Sequence, residues 1–389
     1  MTTPAILSLF TGIGGIELGF AEADYGHVIA TYEVWPAARN VLRSQFPDVA
    51  HHHDVAELTD FHGAEIVTAG FPCTDLSQAG RTTGIDGIAS GLVRRVLDTL
   101  SIERPRWLLL ENVPNMLHLG VGQAIYEIVG SLQSHGYTWA YRVIDSRSFG
   151  LAQRRRRVYL LASTDHDPGT VLFGEDAGPV TYKVTSRSDA FGFSWTEGNR
   201  GVGWAQDAVP TLKGATTVRV PSPPGVWLVD REAGSAIVTP SIRAVEVLQG
   251  FPAGWTSDAP FRDRWKLVGN AVSIPVAAWI ASRIKATEQG ADVAADSFSK
   301  EPLPDGSRWP IAAQGSSEKR WRVEVTEWPV AAGNGRQHLA EVLDTCGSNP
   351  LSYRATKGFR DRLVRSTLTR RQDDAFMTAL DDHINHLST

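Results

Sequence analysis

The sequence predicts an α/β protein: a doubly wound, mostly parallel sheet with a smaller loop-rich lobe and a C-terminal extension. Three observations predict it. Short apolar runs alternate with helical periodicity from residue 5 to about residue 164, the pattern of successive βαβ units. The first run opens into a glycine-rich strand-to-helix turn, Thr11-Gly12-Ile13-Gly14-Gly15. From Asp165 to Thr239 the periodicity gives way to Gly, Pro, Thr and Ser with scattered aromatics: Phe191, Phe193, Trp195, Trp204 and Trp227.

Bulk properties set the frame. A chain of 389 residues with 42% hydrophobic and 21% charged residues is large enough for two or three domains with a sizeable core. No apolar run approaches the ~18 residues that suggest a membrane span. Met1-Thr2-Thr3-Pro4 lacks the charged start and apolar stretch of a secretory signal. The two cysteines, Cys73 and Cys346, lie far apart and form neither a disulfide framework nor a metal-ligand pattern, so a reducing, cytoplasmic setting is expected. The net charge of -5 means that an anionic polymer has to be met by local basic clusters.

In order, Ile6–Phe10 reads as a buried strand, and the glycines after it let backbone N–H groups approach a ligand at the start of a helix over 16–23. Glu33 closes a second strand, 28–32, about 20 residues beyond the glycines, the spacing at which a carboxylate meets ribose hydroxyls. That is a nucleoside-cofactor layout, shared by several cofactor classes. A helix with Pro36 at its start follows. Neighbours in a strand alternate sides, so His51, His52 and His53 cannot converge on one metal, and no metal is expected. Asp54 and Val55 end this step, where the base of a bound nucleoside lies. The strand 65–69 runs into Gly70-Phe71-Pro72-Cys73, which puts a thiol where rigid scaffold meets loop. A buried structural cysteine is the ordinary alternative. A helix over 90–102 carries Arg94 and Arg95. The strand 106–110 ends in Glu111-Asn112-Val113-Pro114, a carboxylate at the same sheet edge as Cys73. A helix over 120–135 and a strand over 137–145 lead to Gln153-Arg154-Arg155-Arg156-Arg157, which feeds the strand 158–162. By alternation Arg155 and Arg157 share a face. A solvated charge run is the default, and guanidinium groups facing a phosphate or base the sharper reading.

Helix returns over 242–248, followed by Gln249-Gly250-Phe251-Pro252, and Gly269-Asn270-Ala271-Val272 leads into a helix over 274–285. The expected organisation is a catalytic and cofactor-binding domain at 1–164 and a target lobe at 165–239. A return to the first domain at 240–287, a linker at 288–307 and a separate extension at 308–389 complete it. The extension concentrates cations from Arg354 to Arg371, suited either to DNA phosphates or to packing on the lobe.

This ordered set resembles the DNA (cytosine-5)-methyltransferases. Phe10-Thr11-Gly12-Ile13-Gly14-Gly15 is similar to the family's cofactor motif, Gly70–Cys73 to its nucleophile motif and Glu111-Asn112-Val113 to its Glu-Asn-Val motif. Gln153 with Arg155 and Arg157 matches its Gln-x-Arg-x-Arg motif. Arg243 with Gln249–Pro252 resembles the ninth motif and Gly269–Val272 the tenth. Two departures stand out: Thr74 follows the cysteine where the family has Gln, and Val34 separates Glu33 from Trp35.

The resemblance implies an S-adenosylmethionine-dependent methyltransferase sheet and methylation of cytosine C5 in a specific duplex DNA sequence. Cys73 adds to C6 of a flipped base, Glu111 serves N3, and Arg157 with Arg155 orients the ring. Phe10, Gly12, Gly14, Gly15, Glu33, Trp35, Asp54, Val55 and Asn270 hold the cofactor. Ser77, Arg81 and Gln153 touch DNA, and the loop from Ser77 to Gly91 closes over the base. A monomer is expected, in a restriction-modification system whose endonuclease acts separately. Rival readings are an RNA (tRNA) cytosine-5 methyltransferase of the same fold, a dinucleotide oxidoreductase, which leaves Cys73, Glu111 and the arginines unexplained, and an inactive DNA-binding relative.

Overall fold

The computed structural model describes residues 3–71, 88–179, 190–196, 201–214, 223–290, 298–317, 319–332, 335–367 and 373–388. In chain order the elements begin β1 (Ala5–Leu9), α1 (Gly15–Glu22), β2 (His27–Tyr32), α2 (Pro36–Gln45), β3 (Ala50–His52) and β4 (Ile66–Ala69). They continue with α3 (Ile88–Thr99), β5 (Trp107–Asn112), α4 (Gln123–Ser134), β6 (Thr138–Asp145), β7 (Arg156–Ser163) and α5 (Pro168–Phe173). Next come β8 (Ala190–Phe193), β9 (Ala205–Gln206), β10 (Gly225–Leu228), β11 (Ile237–Pro240), α6 (Ile242–Gln249), α7 (Phe261–Asn270) and α8 (Ile274–Glu288). The chain finishes with β12 (Lys300–Pro302), β13 (Ala312–Ser316), β14 (Lys319–Val323), α9 (Leu339–Cys346), β15 (Ser348–Pro350), α10 (Tyr353–Arg365) and α11 (Asp374–Ser388). Two compact units result. The first comprises Met1–Ser148, Arg156–Val180 and Val272–Ala331, the second Phe149–Arg155, Thr181–Ala271 and Ala332–Thr389.

The first unit is built on a sheet of order β12-β14-β13-β6-β7-β5-β4-β1-β2-β3. The strands β3, β2, β1, β4 and β5 are parallel, whereas β7 runs antiparallel to both β5 and β6. All six residues of β5 are buried, as a central strand covered on both faces requires. One face buries Leu7, Leu9, Val67, Leu108 and Leu110 against α3 and α4. On the other, α8 packs against both α1 and α5. There a Cβ on Gly19 would stand 2.6 Å from Ala277 Cβ and 2.8 Å from Ile274 O, so glycine is what lets α1 and α8 meet.

The same face holds a buried acid. Glu17 of α1 lies beside the Ser8 and Thr68 hydroxyls of β1 and β4, and burial pushes its carboxyl up from 4.5 to about 7.

The last third of the chain departs from the expected linker and separate extension. Instead β13 pairs with β6 in the register Ala312↔Arg142, and β14 and β12 continue the sheet outward. Arg142, fully buried, secures the join. It donates to Leu172 O and Glu175 O at 2.8 Å and to Thr326 O at 2.9 Å, and it meets Asp176 at 2.7 Å. A four-way anchor compensates the desolvation of a guanidinium that burial brings down to about 10.

The second unit has an antiparallel sheet of order β15-β11-β10-β8-β9. The aromatics scattered over 190–227 form its core together with α10 and α11. Phe193 stacks on Phe359 at 5.0 Å, and Trp204 meets Phe376 edge-on at 4.9 Å. Asp207 pins the returning chain, accepting from Leu339 N at 2.8 Å and facing His338 and Arg336 at 2.9 Å. The expected cationic segment is part of this packing: Arg360 pairs with Asp381, and Arg362 donates to Trp195 O.

Two outcomes follow. Truncation at Glu288 strips three strands from one unit and half the core from the other, so the shortened chain should be insoluble on expression; a soluble, cooperatively melting product would contradict this packing. Because the folded Glu17 carboxyl titrates above its unfolded value, its stability contribution is complete below about pH 4.5 and is lost as pH rises through about 7. Glu17→Gln should therefore gain on the order of 3 kcal/mol over the parent at pH 8 in urea unfolding and almost nothing at pH 4.5.

Candidate active site

The ends of β1, β4 and β5 meet at one edge of the first unit. A Cβ built on Gly70 would lie 3.7 Å from Glu111 Oε2 and 3.9 Å from Phe10 O. Asn112 Nδ2 donates to Phe71 O at 3.1 Å, so β5 holds the last described residue before the Pro72-Cys73 step. Cys73, Ser77 and Arg81, with most of the expected closing loop, lie outside the described residues.

Beside them sits an ion pair. Arg157 Nε lies 3.1 Å from Glu111 Oε1, with both side chains largely buried. The register explains it. Glu111 stands opposite Tyr159, and Arg157, two residues earlier, projects from the same face of β7.

At the other end of this edge lies the glycine-rich turn with Glu33 beside it. Phe10, Gly12 and Gly14 all take positive φ, and a Cβ on Gly14 would strike the Phe46 ring at 2.4 Å. Glu33 accepts from Gly12 N at 2.8 Å and Trp35 N at 2.7 Å, leaving a lone pair on each oxygen for a hydroxyl. Burial raises its carboxyl, and those two N–H groups with Arg39 counter the shift. Glu33 N donates to His52 O, which sets the Asp54 turn next to Glu33, where Asp54 accepts from Ala56 N and Val55 is buried. The adjacent histidines serve structure: His51 bonds Thr31, and His52 stacks on Tyr32.

Residues 5–183 match the sequence model of the family described as C-5 cytosine-specific DNA methylase. A Bacillus subtilis (strain 168) protein, Type II methyltransferase M2.BsuMI, is 40% identical over 97% of this chain and 97% of its own length. The chain belongs to the C-5 cytosine-specific DNA methylase family. Type II methyltransferase M.MspI of Moraxella sp is 27% identical over 72% of this chain and 69% of its own. In fold, the S. pombe Dnmt2 methyltransferase aligns over 74% of this chain and 99% of its own, with a TM-score of 0.58 at 18% identity.

Methylase family motifs also fall in the second unit, where burial changes the reading of two residues. Gln153, expected to touch DNA, is fully buried: it donates to Leu248 O and Gln249 Oε1 and accepts from Leu212 N. Its amide is an internal brace, which corrects that expectation. Arg155 precedes β7 and does not share a strand face with Arg157. It is buried, donating to Gly269 O at 3.1 Å and Ala271 O at 2.7 Å. Asn270 ends α7 exposed, its Oδ1 close to Gly214.

Two contributors went unassigned in the sequence. Asn112 clamps Phe71, and Arg39 holds the carbonyls of Glu33 and Val34. Asn112 lies within the Glu-Asn-Val motif and Arg39 in the first turn of the helix after Glu33, which was the available signal. Among the described residues no cluster of His, Cys, Asp or Glu could hold a metal, and no single helix is long and apolar enough to cross a membrane.

Arg157→Ala leaves the Glu111 carboxylate buried without its cation. It should cost about 3–5 kcal/mol in urea unfolding, and Arg157→Lys distinctly less; equal stability of all three proteins would deny the pair its role at this edge.

Proposed function

We propose that the chain methylates C5 of a cytosine flipped out of a specific duplex DNA sequence, through a covalent bond from Cys73 Sγ to C6. The observation that carries this reading is the approach of Gly70 and Phe71, three and two residues before Cys73, to Glu111 and Asn112. The residues at and beside the glycine-rich turn suit S-adenosylmethionine: Glu33 for the ribose, Asp54 and Val55 for the adenine edge, Trp35 for its face, and the Phe10–Gly15 turn for the remainder. The cofactor, when bound, supplies an electrophilic methyl group on a sulfonium.

The chain's own residues do the rest. The Cys73 thiolate adds to C6, and the ring electrons move toward C5 and N3. Glu111 holds a proton at N3, which stabilises the charge that develops there. Arg157 keeps Glu111 in place and orients the base. Addition at C6 makes C5 a carbanion equivalent, the form that accepts a methyl group. Water then removes the C5 proton, the C6–S bond breaks, and 5-methylcytosine is released.

Arg155, through the Gly269 and Ala271 carbonyls, has a positioning role in this reading. The second unit reads the sequence in the groove, and Ser77 and Arg81 touch the backbone. The names of the Type II relatives favour a modification role beside a separate restriction endonuclease.

Bisulfite sequencing of DNA from cells expressing the chain should reveal protected cytosines within one short sequence. Cys73→Ala should abolish the protection, and Glu111→Gln should slow transfer at least about 10²-fold. Activity on tRNA in place of duplex DNA, or full protection with Cys73→Ala, would refute the reading.

A further inference from the structure

We propose that the C-terminal strands add a seat for one DNA backbone phosphate to the active-site edge, formed by Arg308 and Arg322. The proposal rests on the DNA reading above. A pocket of about 630 Å³ in the first unit is lined by Pro114, His118, Arg156, Arg308, Arg322 and Glu324, among others. Three guanidinium groups there face one carboxylate. Arg156 is paired with Glu327, whereas among the described residues Arg308 and Arg322 have no ion-pair partner. Both are exposed. Two free, exposed guanidinium groups on one pocket wall are a standing charge surplus, and a phosphate diester is the group that their planar donor forks fit.

Sheet register says which phosphate. Ile311 O accepts from Val143 N, Val143 stands opposite Val158, and Val158 stands opposite Asn112. These four residues form a row from Ile311, just before β13, across β6 and β7 to β5, where it ends beside Glu111. At about 4.8 Å per strand the row spans roughly 14 Å, or about four base steps of 3.4 Å. The seat therefore lies roughly 14 Å across the sheet from Glu111, within reach of the backbone flanking a base delivered there. The seat takes a phosphate within about four nucleotides of the flipped base. The residues that build it lie beyond the 5–183 stretch that matches the family.

The test is anisotropy titration of the full chain against a fluorescein-labelled duplex of random sequence across a salt series. Loss of one phosphate contact in R308Q/R322Q should reduce the slope of log K against log[salt] by about 0.9 and weaken binding roughly eightfold at 0.1 M salt. R308K/R322K keeps the charges and should keep the wild-type slope, while thermal melting of both variants should match the parent. If wild type binds duplex and R308Q/R322Q retains its slope, the phosphate seat is wrong and the DNA reading stands. If wild type binds no duplex, both fall together.

Discussion

The pairing of Glu111 with Arg157 depends on the direction of one strand. β1, β4 and β5 are parallel and deliver their carboxyl ends to a common edge. A parallel neighbour would bring its first residues to the opposite edge. β7 is antiparallel, so its entry, with its arginines, reaches the edge where β5 ends. A slip of one residue in the β5–β7 register would turn Arg157 to the other face and take that cation from the Glu111 carboxylate. The strand reversal and the ion pair are thus one constraint. Asn112, next in line, extends it by holding the Phe71 carbonyl, two residues before Cys73.

The second unit solves a different problem. Its stretch from Thr181 to Thr239 is too short and too rich in glycine and proline to bury a core by itself. The core is completed by Phe359, Leu363, Phe376 and Leu380, brought from far along the chain and held at the point of return by Asp207. Burial raises the Asp207 carboxyl, and the Leu339 N–H, His338 and Arg336 offset that shift. The aromatics of this stretch therefore serve packing.

Much of this was legible in the residues. The strand from Glu111 back to Trp107 announces itself as an unbroken apolar run, and the glycine turn and Glu33, paired by their spacing, meet in a hydrogen bond from Gly12 N. What escaped is non-local. Ala312–Ser316, Ala-Ala-Gln-Gly-Ser, has no β-branched or aromatic residue, and its partners β6 and β14 make it a strand. Phe261–Asn270 gives no helical signal in the sequence because its buried stripe is confined to Leu267, Val268 and Gly269. Gln153 and Arg155 sit in a motif with Arg157, and nothing in spacing alone distinguishes the two that turn inward from the one that meets Glu111.

The late strands and helices have a consequence for biosynthesis. Until β13 emerges from the ribosome, β6 is a bare edge, open to pairing with other nascent chains. Until α10 and α11 follow, Phe193 and Trp204 face water. At about 5–20 residues per second, translation from residue 300 onward takes roughly 5–20 s, during which neither unit is finished. A message cut short in that interval yields a product for the proteases rather than a chain that modifies DNA.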